Sequence, residues 1–196
     1  MTMGALAPGF LIASPPLGDP NFERTVVLLA LHGPRGALGF VINRVAPLKL
    51  GEVMGLAGYG AGAGSAGGSV YLGGPVEPGS GWVVCGDPGM TGGAEGVIDV
   101  SSNVKISSSR TAFDALARDL DEPSANQQGR RLVILGYSGW GPEQLEREMG
   151  QGSWLPAPFS ERVLFDVETE RRWDEAHALI GVLPAMGMGM RTVGQA

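Results

Sequence analysis

The residues of this chain best suited to chemistry fall in two clusters of polar loop groups. Asp19, Asn21 and Arg24 flank a tight Pro/Gly-rich turn before a long apolar run, and Asn43 and Arg44 end the next apolar run. If the two runs pair as a hairpin, positions before Thr25 and after Asn43 lie at one end of the sheet. Arg24 and Arg44 then face one surface with Asn21 and Asn43. Two guanidiniums beside two amides suit a carboxylate or a phosphate. Tyr137 and Trp140 are candidate walls for such a pocket. The same residues admit a structural role, in which Asp19 accepts from Arg24 or Arg44 and the two asparagines satisfy turn backbone.

Other constellations are weaker. Gly62, Gly64 and Gly67 spell a G-x-G-x-x-G, but a helix precedes it and a strand follows, the reverse of a dinucleotide site. Gly136-Tyr137-Ser138-Gly139-Trp140 lies between a strand and a helix, as a nucleophile elbow does, yet tryptophan stands where the elbow needs its second glycine. A base for Ser138 would have to be His32 or His177, and both read as surface or rim histidines. Asp119, Asp121 and Glu122 read as a solvated helix end, so no metal site is expected. Cys85, the only cysteine, follows an apolar strand and reads as a buried, inert thiol. No cofactor is expected.

The elements that must position these residues are mostly short strands. Apolar or β-branched runs bounded by turn residues predict strands over Gly9–Ser14, Thr25–Leu31, Ala37–Asn43, Ser69–Leu72, Gly81–Cys85, Val97–Val100 and Arg131–Leu135. Ser153–Leu155 and Arg162–Phe165 are added to them. Helices are expected over Leu48–Leu56 and Arg110–Leu120, the latter capped by Ser109 with Pro123 beyond its end. Two more are expected over Pro142–Met149, with Pro142 at its first position and Gly150 past its end, and over Thr169–Val182, capped by Thr169. Strands and helices do not alternate regularly, which predicts an α+β fold with a mostly antiparallel or mixed sheet. One domain over 1–183 is expected, with 55–69 as a flexible Gly/Ala/Ser-rich insertion and 184–196 as a flexible tail.

Composition narrows the classes further. The 196 residues are 43% hydrophobic and 17% charged, enough for a core and too little charge for a disordered chain. The net charge of −6 repels polyphosphate, so direct nucleic-acid binding is not expected. The longest apolar run, Val26–Leu31, is far short of the ~20 residues of a membrane helix. With no positive charge between Met1 and Ala13 and no second cysteine, the reading is cytoplasmic, with no membrane association.

Several segments resemble a known family. Pro15–Leu29, Gly36–Arg44, Val70–Val76 and Leu135–Glu146 are similar, in order, to four signatures of the YqgE/AlgH family of bacterial proteins (UPF0301). Trp154, Leu164-Phe165-Asp166 and Arg172-Trp173 resemble its closing pattern. The resemblance implies a bent, partly barrel-like sheet flanked by helices. It also implies a regulatory role, since one member is linked to alginate production and many are labelled transcriptional regulators. No helix-turn-helix pattern or basic helix accompanies that label here. The resulting expectation is a non-enzymatic cytosolic regulatory or binding protein acting through protein partners. The alternative is a binder of a small anionic ligand, or an enzyme of unnamed reaction, using the Arg/Asn pocket.

Overall fold

The computed structural model describes residues 6–14, 19–60, 68–86, 96–121 and 130–182. The apolar runs of the first half form β1 (Gly9–Ala13), β2 (Val26–Gly33) and β3 (Gly36–Val41), paired antiparallel in that order. The hairpin joining β2 to β3 is the one the sequence predicts. β4 (Val45–Lys49) leads into α1 (Leu50–Leu56), and β5 (Ser69–Leu72), β6 (Val76–Cys85), β7 (Val97–Asp99) and β8 (Lys105–Ser107) follow. Then come α2 (Arg110–Asp121), β9 (Arg131–Trp140), α3 (Gln144–Gly150), β10 (Trp154–Pro158) and α4 (Arg172–Leu179). The sheet runs β10-β1-β2-β3-β9-β6-β8-β7, with β4 paired to β5 and β5 lying parallel to β9. The architecture is a curled, mainly antiparallel half-barrel with few helices, the expected α+β class.

Side chains alternate across a strand, and here both faces of the central strands are covered. Phe10, Ile12, Val26, Leu28, Phe40 and Ile42 pack with Trp173 and Ala176 of α4. Their neighbours Leu11, Ala13, Val27, Leu29 and Val41 pack on the other side with Trp140, Trp154 and Leu145 of α3. A third cluster joins α1 and α2 to β5, β6 and β9 through Met54, Val70, Val83, Phe113 and Val133. Burial on both faces is why β1 and most of β2 read as unbroken apolar runs rather than alternating ones.

Several local expectations are corrected. Arg162–Phe165 is not a strand but a π-helical turn, Arg162–Asp166, whose Val163 and Leu164 are wholly buried. β4 and β8 were not legible; Pro47 in one and the brevity of the other hide them. α3 begins at Gln144, with Glu143 as its N-cap at φ 59°, so Pro142 precedes it in a turn. Gly150 is helical, and Gly152, at φ 77°, takes the left-handed position. Thr169 caps no helix: it opens a short 3-10 turn, and its hydroxyl lies 2.9 Å from that of Tyr71. Ser109 does cap α2, its hydroxyl accepting from the Ala112 amide at 3.3 Å. Gly55 and Leu56 finish α1, and Tyr59 donates to Asp114 of α2 at 2.7 Å. The Pro15–Gly18 loop, Gly62, Gly64, Gly67, Glu122, Pro123 and the tail lie outside the described residues.

The supposed elbow at Gly136–Trp140 is also different. β9 continues through it as a strand, so Ser138 is not poised on a strand-to-helix turn. Its side chain is buried and donates to the Gly73 carbonyl at 2.9 Å. The strand changes neighbours here: Arg131–Leu135 pairs with β6 on one edge and carries β5 on the other, whereas Ser138–Trp140 lies beside β3. Gly136, at φ 68°, makes the bend, and a Cβ there would press on the carbonyl oxygens of Gly74 and Val76 at 2.8 and 2.9 Å. Beyond the bend β9 delivers Trp140 to the far side of the sheet.

Candidate functional site

The loop Asp19–Arg24 is a tight hydrogen-bonded turn. The Asp19 carboxylate accepts from the Asn21 amide at 2.8 Å, and the Asp19 carbonyl accepts from the amides of Phe22 and Glu23 at 2.9 and 3.0 Å. The two residues at the end of the facing strand clamp this loop. Asn43 donates through Nδ2 to the Arg24 carbonyl at 2.9 Å and accepts through Oδ1 from the Val26 amide at 2.8 Å. Its side chain thereby extends the β2–β3 ladder by one rung. Arg44 spreads its guanidinium over the carbonyls of Pro20 at 3.0 Å, Asn21 at 2.7 Å and Glu23 at 3.3 Å.

The sequence-derived cluster is therefore brought to one end of the sheet, but its parts separate. Arg24, at φ 53°, places its guanidinium over the Trp173 ring, 4.4 Å from the centroid, on the α4 side. Among the described residues neither Arg24 nor Arg44 forms an ion pair. Asn21 is exposed and engaged through its backbone. Tyr137 packs edge-on to Trp82 at 6.1 Å, with its hydroxyl 3.5 Å from Glu77. Asp19 and Trp140 instead line a groove of about 400 Å³ on the opposite side, together with Phe22, Pro75, Glu148 and Trp154.

Three rings shape this groove. Phe22 meets Trp154 edge-on at 5.3 Å, Trp140 meets Trp154 at 5.8 Å, and Phe22 lies 6.5 Å from Trp140. Both indoles are buried, so their N–H groups need acceptors. One oxygen serves both: Glu148 Oε2 accepts from Trp140 Nε1 at 2.9 Å and from Trp154 Nε1 at 2.8 Å. Glu148 Oε1 accepts from Gln144 Nε2 at 2.9 Å, and Gln144 Oε1 accepts from the Gly141 amide at 3.0 Å. The carboxylate is held by neutral donors, and among the described residues no cation pairs with it.

Glu148 was not singled out from the sequence, although a signal existed. Leu145, Glu148 and Met149 stand at i, i+3 and i+4, so this acid shares the inward face of α3 with core residues. On another side of the same helix Glu146 Oε1 lies 2.8 Å from His32 Nε2. Its own backbone N–H, and then His32, hold the Glu146 carboxyl below the usual range. His177 is corrected from a rim position: it is buried, with Nδ1 2.9 Å from the Trp173 carbonyl and its ring 4.2 Å from that indole.

Other candidate chemistry has a structural explanation. Asp119 pairs with Arg131, and among the described residues no three metal-ligating side chains converge. Cys85 is buried. Arg172 is almost wholly buried, donating to the carbonyls of Val167, at 3.1 Å, and Ile42 while its guanidinium lies over the Tyr71 ring. Burial lowers its pKa, against the stabilising effect of Tyr71. No helix of the described residues is long and apolar enough to cross a membrane.

Comparison with known proteins gives a consistent answer. The AlgH-like family model (DUF179) matches residues 10–185. A UPF0301 protein of Anaeromyxobacter dehalogenans (strain 2CP-C) is 42% identical over 185 residues, covering 92% of this chain and 90% of that one. Another, from Myxococcus xanthus (strain DK1622), is 42% identical over 191 residues, covering 96% and 99%. The solution structure of the AlgH protein from Pseudomonas aeruginosa aligns with a TM-score of 0.75 and 31% identity, over 100% of this chain and 98% of that one. By sequence and by fold together, the chain belongs to the AlgH-like family, UPF0301.

Proposed function

We propose that the chain is a cytosolic binding protein of regulatory type that docks a segment of a protein partner in the groove beside α3. One observation carries this reading. Segments far apart in sequence, those that mark the family resemblance, meet there: Asp19 and Phe22 from the first, Pro75 from the third, Trp140 from the fourth and Trp154 from the closing pattern. The second segment supplies Asn43 and Arg44, which hold the loop carrying Asp19 and Phe22. A volume of about 400 Å³ suits one or two side chains rather than a whole domain. In a regulatory role the chain acts through this partner and not through DNA, because a net charge of −6 opposes a polyphosphate.

The test is unbiased selection of peptides on the intact protein, followed by mapping of their contacts by NMR. The expected result is perturbation of the Trp140 and Trp154 indole signals. Selected peptides that perturb only other surfaces would refute this reading. A second reading, a small anionic ligand on the opposite side, is favoured by the exposed Arg24 guanidinium on Trp173. It requires phosphate or a carboxylate to shift the Arg24 and Trp173 signals at millimolar concentration, with Arg24→Gln abolishing the shift.

A further inference from the structure

We infer that the side chain this groove receives from its protein partner is cationic, an arginine or a lysine. The inference rests on the docking reading above and specifies its chemistry. Two carboxylates, Asp19 and Glu148, line the groove, and among the described residues no lysine, arginine or histidine lines it with them. Glu148 is half-buried and bonded to two indoles and one amide, all neutral donors. Neutral donors orient a carboxylate without cancelling its charge, so a negative potential is left facing an aromatic wall of low polarity. Asp19 is likewise bonded only to a backbone amide among the described residues.

Ring walls add to the preference. A cation gains over an aromatic ring where a neutral side chain does not, and Phe22, Trp140 and Trp154 surround the space. A carboxylate offers about four acceptor positions. Three of those on Glu148 are occupied, two on Oε2 by the indoles and one on Oε1 by Gln144, and Asp19 keeps an oxygen free of the Asn21 amide. An N–H-rich head on a long apolar stem matches such a site, with the stem against the rings and the head between the acids. The chain's own net charge of −6 favours the approach of a basic segment.

The experiment titrates the intact ¹⁵N-labelled protein with the capped peptide Gly-Ala-Arg-Ala-Gly and with its twin carrying citrulline, which keeps shape and removes charge. The arginine peptide is expected to shift the Trp140 and Trp154 indole signals, and citrulline to weaken binding about fivefold to tenfold. Asp19→Asn keeps an acceptor for the Asn21 amide, so the loop holds, and it is expected to weaken the arginine peptide by about threefold. Equal binding of the two peptides at the indoles would overturn the cationic inference and leave groove docking standing. If no peptide, designed or selected, moves the indole signals, the docking reading falls and this inference with it.

Discussion

Removing the Glu148 carboxylate tests the construction of the groove directly. Glu148→Ala leaves three N–H donors without their acceptor, two of them on buried indoles. A buried donor stripped of its partner costs about 1–3 kcal/mol. Since the groove opens to solvent, water replaces part of that loss, and the lower end applies to each indole. With a further few tenths for Gln144, the expected destabilisation is about 2–3 kcal/mol, or roughly 5–10 °C in Tm for a domain of this size. Glu148→Gln keeps one carbonyl for the indoles but turns its amide toward Gln144, and is expected to cost about 1 kcal/mol. Urea denaturation followed by tryptophan fluorescence gives both values, with the indole N–H shifts as an independent readout. If Glu148→Ala stays within about 0.5 kcal/mol of the parent and the indole shifts do not move, the carboxylate does not hold the two rings.

Three further expectations follow from the same geometry. Asn43→Ala removes a donated and an accepted hydrogen bond to the loop and is expected to cost about 2 kcal/mol in urea unfolding; unchanged stability would return Asn43 to a purely ligand-facing role. Gly136→Ala forces a Cβ onto two carbonyl oxygens at a left-handed φ and is expected to cost about 2–4 kcal/mol, with loss of the Trp140 environment; a neutral result would place the bend of β9 elsewhere. For Glu146, whose carboxyl is held low by its own backbone N–H and by His32, the stabilisation is present above the ordinary glutamate pKa and is lost as the pH falls through the lowered value. Glu146→Gln is therefore expected to lower the urea midpoint slightly at neutral pH and to flatten its decline below about pH 4.5, variant and parent converging in acid. An unaltered acid limb would remove the pair from the stability of α3.

Fold class was legible because it depends on local pattern. The runs Gly9–Ala13, Val26–Gly33 and Gly36–Val41, separated by Pro, Gly and Asn, state strands and turns in their own composition. The hairpin followed from the short turn between the second and third runs. Where the pattern was mixed, reading failed: Arg162–Asp166 has strand-like residues, yet its Val163 and Leu164 reach the core from a π-helical turn. No periodicity in five residues distinguishes those outcomes, since tertiary burial selects between them.

The chain's residue order by itself determined the class of fold, the family and the convergence of Asn43 and Arg44 on the Asp19–Arg24 loop, because each rests on nearest-neighbour patterns or on one hairpin. What the three-dimensional arrangement decided is which side of that loop matters. Asn43 and Arg44 spend their donors on backbone carbonyls, so they build a surface without facing it. The surface itself joins Phe22, Trp140, Glu148 and Trp154 from four places in the chain. Two buried indole N–H groups and one carboxylate on the inward face of α3 had to be satisfied together. Hydrogen-bond demand of that kind is a property of burial, and burial is set only when the sheet has curled.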